Sequence, residues 1–70
     1  MEYIFTAHAS FRIHKRKLSE EEVIEAIKQS DITFKKHGKY YAQKKIMRGS
    51  IEVVYEKTES YLKIITVYWL

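Results

Sequence analysis

The chain has 70 residues, 46% of them hydrophobic, which is enough for one small domain with a thin core and little room for a deep cleft. A charged fraction of 31% argues against membrane insertion, and no apolar run approaches the roughly 18 residues of a spanning helix. The absence of Cys excludes disulfides and thiolates, and a net charge of +4 favours anionic partners, so we expect one cytoplasmic domain, residues 1–70, without a cofactor.

The segment up to Lys17 fits two local structures. Its apolar residues alternate with polar ones, which indicates one long strand. These apolar residues are Tyr3, Phe5, Ala7, Ala9, Phe11 and Ile13. Twelve residues exceed the usual strand length of about five or six. A helix starting near Ala7 would instead gather His8, Arg12 and further basic side chains within about 100° of arc. The residue pattern alone leaves both alternatives open.

A helix is predicted from Leu18 to Gln29. Ser19 and Glu22 have the spacing of a capping box, in which each side chain accepts a hydrogen bond from a backbone N–H that the helix leaves unpaired. Leu18 and Val23 occupy the positions of a hydrophobic staple. The acidic run that opens this segment is therefore explained by helix formation alone.

Two glycines divide the second half of the chain into strands. Gly38 and Gly49 each lie between strand-like runs, where glycine accepts the positive φ of a tight turn. A third break at residues 58–60 precedes the run from Tyr61 to Leu70. We expect four strands in an antiparallel meander, and the β-branched and aromatic content of the last strand is typical of a central strand covered on both faces.

Most of the basic residues fall in two acid-free segments. These hold Arg12, Lys15, Arg16 and Lys17, then Lys35, Lys36, Lys39, Lys44, Lys45 and Arg48. Such clustering is typical of a protein that binds a polyanion. A charged surface that only keeps the protein soluble, rich in Lys and Glu, is the alternative.

The order of these features resembles a family of small bacterial and archaeal domains of unknown function, whose pattern opens with Thr-x-His-Ala-x-x-Arg. The matching residues are Thr6, His8, Ala9 and Arg12, then Arg16, Leu18, Ser19, Glu22 and Val23, and finally Ile65-Thr66-Val67-Tyr68. That family in turn resembles the RelE-like and BrnT-like toxins of toxin–antitoxin pairs, which cleave RNA without a metal. The resemblance implies that residues 7 to about 17 are helical.

The expected fold is therefore α+β and RelE-like. A strand and two helices precede an antiparallel meander, with both helices packed on one face of the sheet. The function implied by fold-level resemblance and by the basic clusters is that of a small RNA-directed, toxin-like domain, with metal-independent ribonuclease activity as a candidate. The alternative is a non-catalytic module that binds nucleic acid or protein. The expected partners are RNA and a small acidic antitoxin-like protein, and the chain is expected to be a monomer or homodimer.

Metal-free RNA cleavage needs an acid or base and a cation on the phosphate. His8 is the candidate acid or base, because its ordinary pKa lies near neutrality, and Arg12 is the candidate phosphate ligand. A structural explanation exists for each residue. His8 could cap or brace the helix start through a hydrogen bond to the backbone, and Arg12 could pair with a strand carboxylate such as Glu52.

Further candidate contacts to nucleic acid come from the remaining basic residues. We assign Arg16, Lys44, Lys45 and Arg48 to phosphate binding. Lysines at the edge of a sheet also have a purely solubilising role, which is the alternative for Lys44 and Lys45. Tyr68 is a candidate aromatic side chain of the site. His8 and His14 do not share a helix face, so no metal site is expected.

Overall fold

Two helices and five strands follow one another along the chain in the computed structural model, which describes all residues, 1–70. Their bounds are β1 Glu2–Phe5, α1 Ala7–Lys15, α2 Glu20–Lys28, β2 Ile32–Lys36, β3 Lys39–Ile46, β4 Gly49–Lys57 and β5 Tyr61–Trp69. The sequence-based order, a strand and two helices followed by a four-stranded meander, is confirmed.

The five strands form one mixed sheet in the order β1-β5-β4-β3-β2. Strands β2 to β5 are antiparallel to their neighbours, whereas β1 pairs in parallel with β5. Both helices pack on one face, α1 mainly against β5 and α2 against β3 and β4. The α+β architecture with helices on one face is therefore confirmed. The expectation that β5 is covered on both faces is wrong, because β5 is an interior strand with helices on one side only.

Helix α1 forms where the alternating pattern had also allowed a strand. Thr6 caps it, since the Thr6 Oγ1 accepts a hydrogen bond from the Ala9 N–H at 3.0 Å and donates one to the Ile65 carbonyl at 3.2 Å. Ala9 and Ile13, four residues apart, are buried against the sheet. The helix implied by family resemblance is thus the structure adopted, ending at Lys15.

Helix α2 begins with the predicted capping box. The Glu22 N–H donates to the Ser19 hydroxyl at 3.1 Å, and the Ser19 N–H donates to the Glu22 carboxylate at 3.0 Å. Leu18 and Val23 are both buried, as expected for a hydrophobic staple. The apolar side of the helix, which includes Ala26, closes the core over β3 and β4.

The predicted hairpin turns are present. His37 and Gly38 both have positive φ, 53° and 77°, which is the pattern of a two-residue type I′ turn. Gly49 has φ 141°, and a Cβ atom there would lie 3.3 Å from the Trp69 ring. Gly49 therefore allows both the turn and the close approach of the indole.

The other face of the sheet carries no helix. Strand side chains alternate between the two faces, so the neighbours of the core residues Ile51 and Val53 point to this open face. Glu52 and Val54 are nevertheless buried there among their strand neighbours. Neither helix has the length and apolar character that crossing a membrane requires.

Candidate nucleic-acid interface

The outward side of α1 presents basic groups around an exposed aromatic ring. Phe11 is 56% exposed. The Arg12 Cζ lies 5.8 Å and the Lys15 Nζ 5.6 Å from the centre of the Phe11 ring. The helix contains no acidic residue. Together with the exposed His8, these side chains form the α1 face, which combines cations with a ring able to stack.

His8 lies in the first turn of α1 and is exposed. The cap of this helix is Thr6, not His8, so the suggestion that His8 caps the helix start is wrong. One turn of helix separates His8 from Arg12, and both belong to the α1 face. The two residues proposed for catalysis thus lie on the same side of the molecule.

Arg12 does not pair with Glu52. The Glu52 side chain lies on the open face of the sheet, opposite to the helices, where it accepts hydrogen bonds from the Gln43 Nε2 at 2.9 Å and from the Tyr68 hydroxyl. The structural explanation offered for Arg12 is therefore wrong. None of the four ion pairs in the protein includes Arg12.

Arg16 and Arg48 meet at the indole of Trp69, and both are engaged in contacts within the chain. The Arg16 Nε donates to the Val67 carbonyl at 3.0 Å, while the Trp69 Nε1 donates to the Arg16 carbonyl at 3.3 Å. The Arg48 Cζ lies 5.6 Å from the centre of the Trp69 ring. These contacts join α1 to the end of β5 and to the β3–β4 turn.

Lys44 and Lys45 are neighbours on β3, so their side chains point to opposite faces of the sheet. The Lys44 Nζ lies 3.7 Å from a carboxylate oxygen of Asp31. The Lys45 side chain is exposed, and its backbone N–H donates to Asp31 at 2.8 Å. Both lysines lie on β3, which is two strands away from β5 in the sheet, whereas α1 contacts β5 and β1.

Tyr68 and Trp69 point to opposite faces of β5. The hydrogen bond from the Tyr68 hydroxyl to the Glu52 carboxylate is the main cause that raises the pKa of Tyr68 to about 12, and burial contributes in the same direction. The phenol is therefore protonated at neutral pH and is separated from His8 and Arg12 by the sheet.

The surface has no pocket, and no three His, Asp or Glu side chains converge as metal ligands. Sequence reasoning missed Phe11, which belongs to the alternating strand pattern but fits the apolar side of a helix poorly. That misfit was the signal. An aromatic residue that does not belong to the buried side of a helix is exposed, and here the next residue, Arg12, and Lys15, four positions after Phe11, lie beside it.

The fold and this surface define a class, that of small α+β domains whose first helix carries a basic outer face. The family model described as "Domain of unknown function (DUF4258)" matches residues 5–69, and the chain belongs to this family. Comparisons with curated proteins and with solved structures find no match. The resemblance to RelE-like toxins stays a prediction.

Proposed function

We propose that this protein is a small RNA-directed domain that binds single-stranded RNA through the α1 face. The observation that carries the proposal is the exposed Phe11 ring with Arg12 and Lys15 beside it, on a helix without acidic residues. A cytoplasmic location, and a toxin-like role controlled by a small acidic partner protein, belong to the same proposal.

The chemistry of the α1 face suits an unpaired strand better than a duplex. Arg12 and Lys15 supply charge for backbone phosphates, and an exposed ring stacks on a base of any identity. Each base stacked on an aromatic side chain contributes about 1–3 kcal/mol. We therefore expect little sequence preference and a strong dependence of affinity on salt.

The test is fluorescence anisotropy with labelled oligouridine RNA over a series of salt concentrations. The variant Arg12→Ala should weaken binding and make the slope of log K against log salt less steep, by about 0.7 for each lost phosphate contact. Phe11→Ala should weaken binding with the slope unchanged, since it removes no charge. Lys57→Ala, at the far end of β4, is the control for general charge loss. Equal effects of Lys57→Ala and Arg12→Ala would remove the assignment of binding to the α1 face.

RNA cleavage is a second candidate function, favoured by the position of His8 one turn from Arg12 on the same exposed side of α1. In this scheme His8 takes the proton of the 2′-hydroxyl as its oxygen attacks the phosphorus, and Arg12 neutralises the phosphate as charge develops. The bond to the 5′-oxygen breaks, and that oxygen takes a proton from water. Cleavage of RNA by the pure protein in EDTA should be lost in His8→Ala, whereas His14→Ala should retain it. If the wild-type protein binds RNA but leaves it intact, the domain is a binding module without catalysis.

A further inference from the structure

Strand β2 lies at one edge of the sheet, and all five of its residues are exposed. The turn after it determines which backbone groups face outward. A two-residue turn makes Lys36 and Lys39 a hydrogen-bonded pair. Such pairs alternate with non-bonded pairs along an antiparallel ladder, so Thr33 and Lys35 direct their N–H and C=O groups away from β3. The outer edge of β2 therefore has unpaired donors and acceptors in the arrangement that another strand requires.

Apolar side chains run along the same edge. Ile32 and Phe34 point to the open face of the sheet and are 56% and 42% exposed. Phe34 stacks on Tyr41 of the neighbouring strand, with ring centres 5.1 Å apart and planes inclined by 7°. The stack fixes the Phe34 ring in a position where a strand added outside β2 can bury it.

The strand β2 and the turn after it carry positive charge. Lys35, Lys36 and Lys39 follow one another there with no acidic residue among them, and only Lys39 has an acidic partner, Glu56 of β4 at 4.0 Å. The nearest acid along the chain, Asp31, is held by Lys44 at 3.7 Å and by the Lys45 N–H. If a second copy of the chain paired through this strand, lysines would face lysines. Lysines on an edge strand are a known means of preventing such self-association. An acidic segment instead complements it.

We propose that the outer edge of β2 binds an extended acidic segment of a partner protein, which adds to the sheet as a sixth strand. Apolar residues at alternate positions of the segment lie beside Ile32 and Phe34, and acidic residues between them lie beside Lys35 on the other face. This surface is distinct from the α1 face, because α1 covers β5 and β1 at the opposite side of the sheet. The proposal stands whether or not α1 binds RNA.

The experiment uses a capped, labelled peptide of about eight alternating Glu and Val residues as the probe. A peptide of the same length with Lys in place of Glu is the control. Anisotropy should show saturable binding of the acidic peptide and no saturable binding of the lysine peptide. Hydrogen exchange should show that the bound peptide protects the amides of Thr33 and Lys35, which have no acceptor in the free protein.

Proline at position 33 tests strand addition directly. Thr33→Pro removes an outward N–H without removing a bond to β3, and proline is tolerated at such edge positions. It should weaken peptide binding by about tenfold or more, whereas Thr33→Ala should retain it. A thermal unfolding curve verifies that both variants fold. Lys35→Glu should weaken binding, and Lys57→Glu, with the same change of charge on β4, should not.

Three results would overturn the proposal. One is peptide binding that Thr33→Pro leaves unchanged, and another is equal affinity for the acidic and basic peptides. The third is that the peptide leaves the Thr33 and Lys35 amides unprotected, while oligouridine RNA or self-association at high protein concentration protects them. That result would assign this edge to nucleic acid or to a second copy of the chain.

Discussion

The guanidinium of Arg48 donates two hydrogen bonds to the carboxylate of Glu22, at 2.8 and 2.6 Å, across 26 positions of the chain. Glu22 is also the residue that completes the capping box of α2 through Ser19. The same Arg48 side chain donates to the Lys17 carbonyl at 2.8 Å and lies over Trp69. One arginine thus fixes the start of α2, the connection between the helices and the β3–β4 turn relative to one another.

Arg48→Ala should lower the free energy of unfolding by about 1 kcal/mol. The pair is partly exposed, so its charge attraction contributes only a few tenths of a kcal/mol. The remainder comes from the hydrogen bonds of the Arg48 Nη2 to both carboxylate oxygens of Glu22 and of the Arg48 Nη1 to the Lys17 carbonyl. Urea unfolding followed by circular dichroism measures the change. Lys45→Ala, which removes an exposed charge from β3, is the matched control. A change no larger than that of the control would show that the Arg48 contacts do not stabilise the fold.

The same pair makes stability depend on acid pH. Hydrogen bonds from Arg48 lower the pKa of Glu22 below its ordinary 4.5, against a smaller opposing effect of burial. A lowered pKa in the folded state stabilises the protein above pH 4.5, and this contribution is lost as the pH falls through the folded-state value. Glu22→Gln keeps a side chain that can accept in the capping box but cannot be charged.

The urea midpoint of the wild-type protein should therefore fall more between about pH 6 and about pH 3 than the midpoint of Glu22→Gln. Glu25→Gln removes a carboxyl group from the same helix that belongs to none of the ion pairs, and it should keep the dependence of the wild type. Parallel curves for the wild type and Glu22→Gln would contradict the prediction.

At alkaline pH the hydrogen bond between Tyr68 and Glu52 should make the stability of the protein fall as the pH rises. The pKa of Tyr68 is raised from 10.0 to about 12. A raised pKa in the folded state means that the stabilisation is complete below pH 10 and is lost as the pH rises toward 12. Tyr68→Phe should show a weaker loss of stability over this range.

At neutral pH, Tyr68→Phe should cost about 1–3 kcal/mol, because it removes a donor from the buried Glu52 carboxylate. Tyr61→Phe is the matched control, since the Tyr61 hydroxyl takes part in none of the hydrogen bonds within the chain. Unfolding midpoints at neutral pH and near pH 11 for the three proteins measure both effects. Equal neutral-pH stability of the two variants would show that Glu52 does not depend on this donor.

Local signals made α2 and the hairpins predictable from the sequence. Ser19 and Glu22 are three residues apart, and Gly38 lies inside its own turn, so no distant part of the chain is needed to recognise either structure. The alternation from Tyr3 to Ile13 was ambiguous for a physical reason. Strand β1 uses every second residue and α1 uses residues four apart, and in this chain both sets are odd-numbered. Because the residues of β1 and of α1 that pack in the core are all odd-numbered, the two elements together show the alternation of one long strand.

Side-chain partners across the sheet were not predictable. The distance between residues along the chain does not say which face of a strand meets a helix, so Glu52 could be assigned to Arg12 although it lies on the opposite face. The parallel pairing of β1 with β5 depends on residues about 60 positions apart. Arg16 and Arg48 also stabilise the fold through contacts with residues far away in the sequence. Arg16 donates to the Val67 carbonyl, and Arg48 donates to the Glu22 carboxylate.

Substitutions of Arg12 in α1 and of Arg16, the residue that caps the end of α1, should separate effects on stability from effects on RNA binding. Arg16 joins α1 to β5 through the Val67 carbonyl, and its own carbonyl accepts from the Trp69 indole. Arg12 has no ion pair and lies beside Phe11 on the exposed side. Arg16→Met should therefore lower the free energy of unfolding by about 1 kcal/mol, since the Val67 carbonyl loses its donor. Arg12→Met should change it by less than about 0.5 kcal/mol, as expected for a half-buried surface residue whose side chain makes no hydrogen bond or ion pair within the chain.

RNA affinity should respond in the reverse order. Arg12→Met removes a free cation from the α1 face, whereas the Arg16 guanidinium is already committed to a backbone carbonyl. Urea unfolding and oligouridine anisotropy on the same two variants give both values, and Met keeps the length of the side chain in each case. If Arg16→Met weakens RNA binding more than Arg12→Met at equal stability, the phosphate contacts lie around Trp69 at the end of β5 and not on the exposed side of α1.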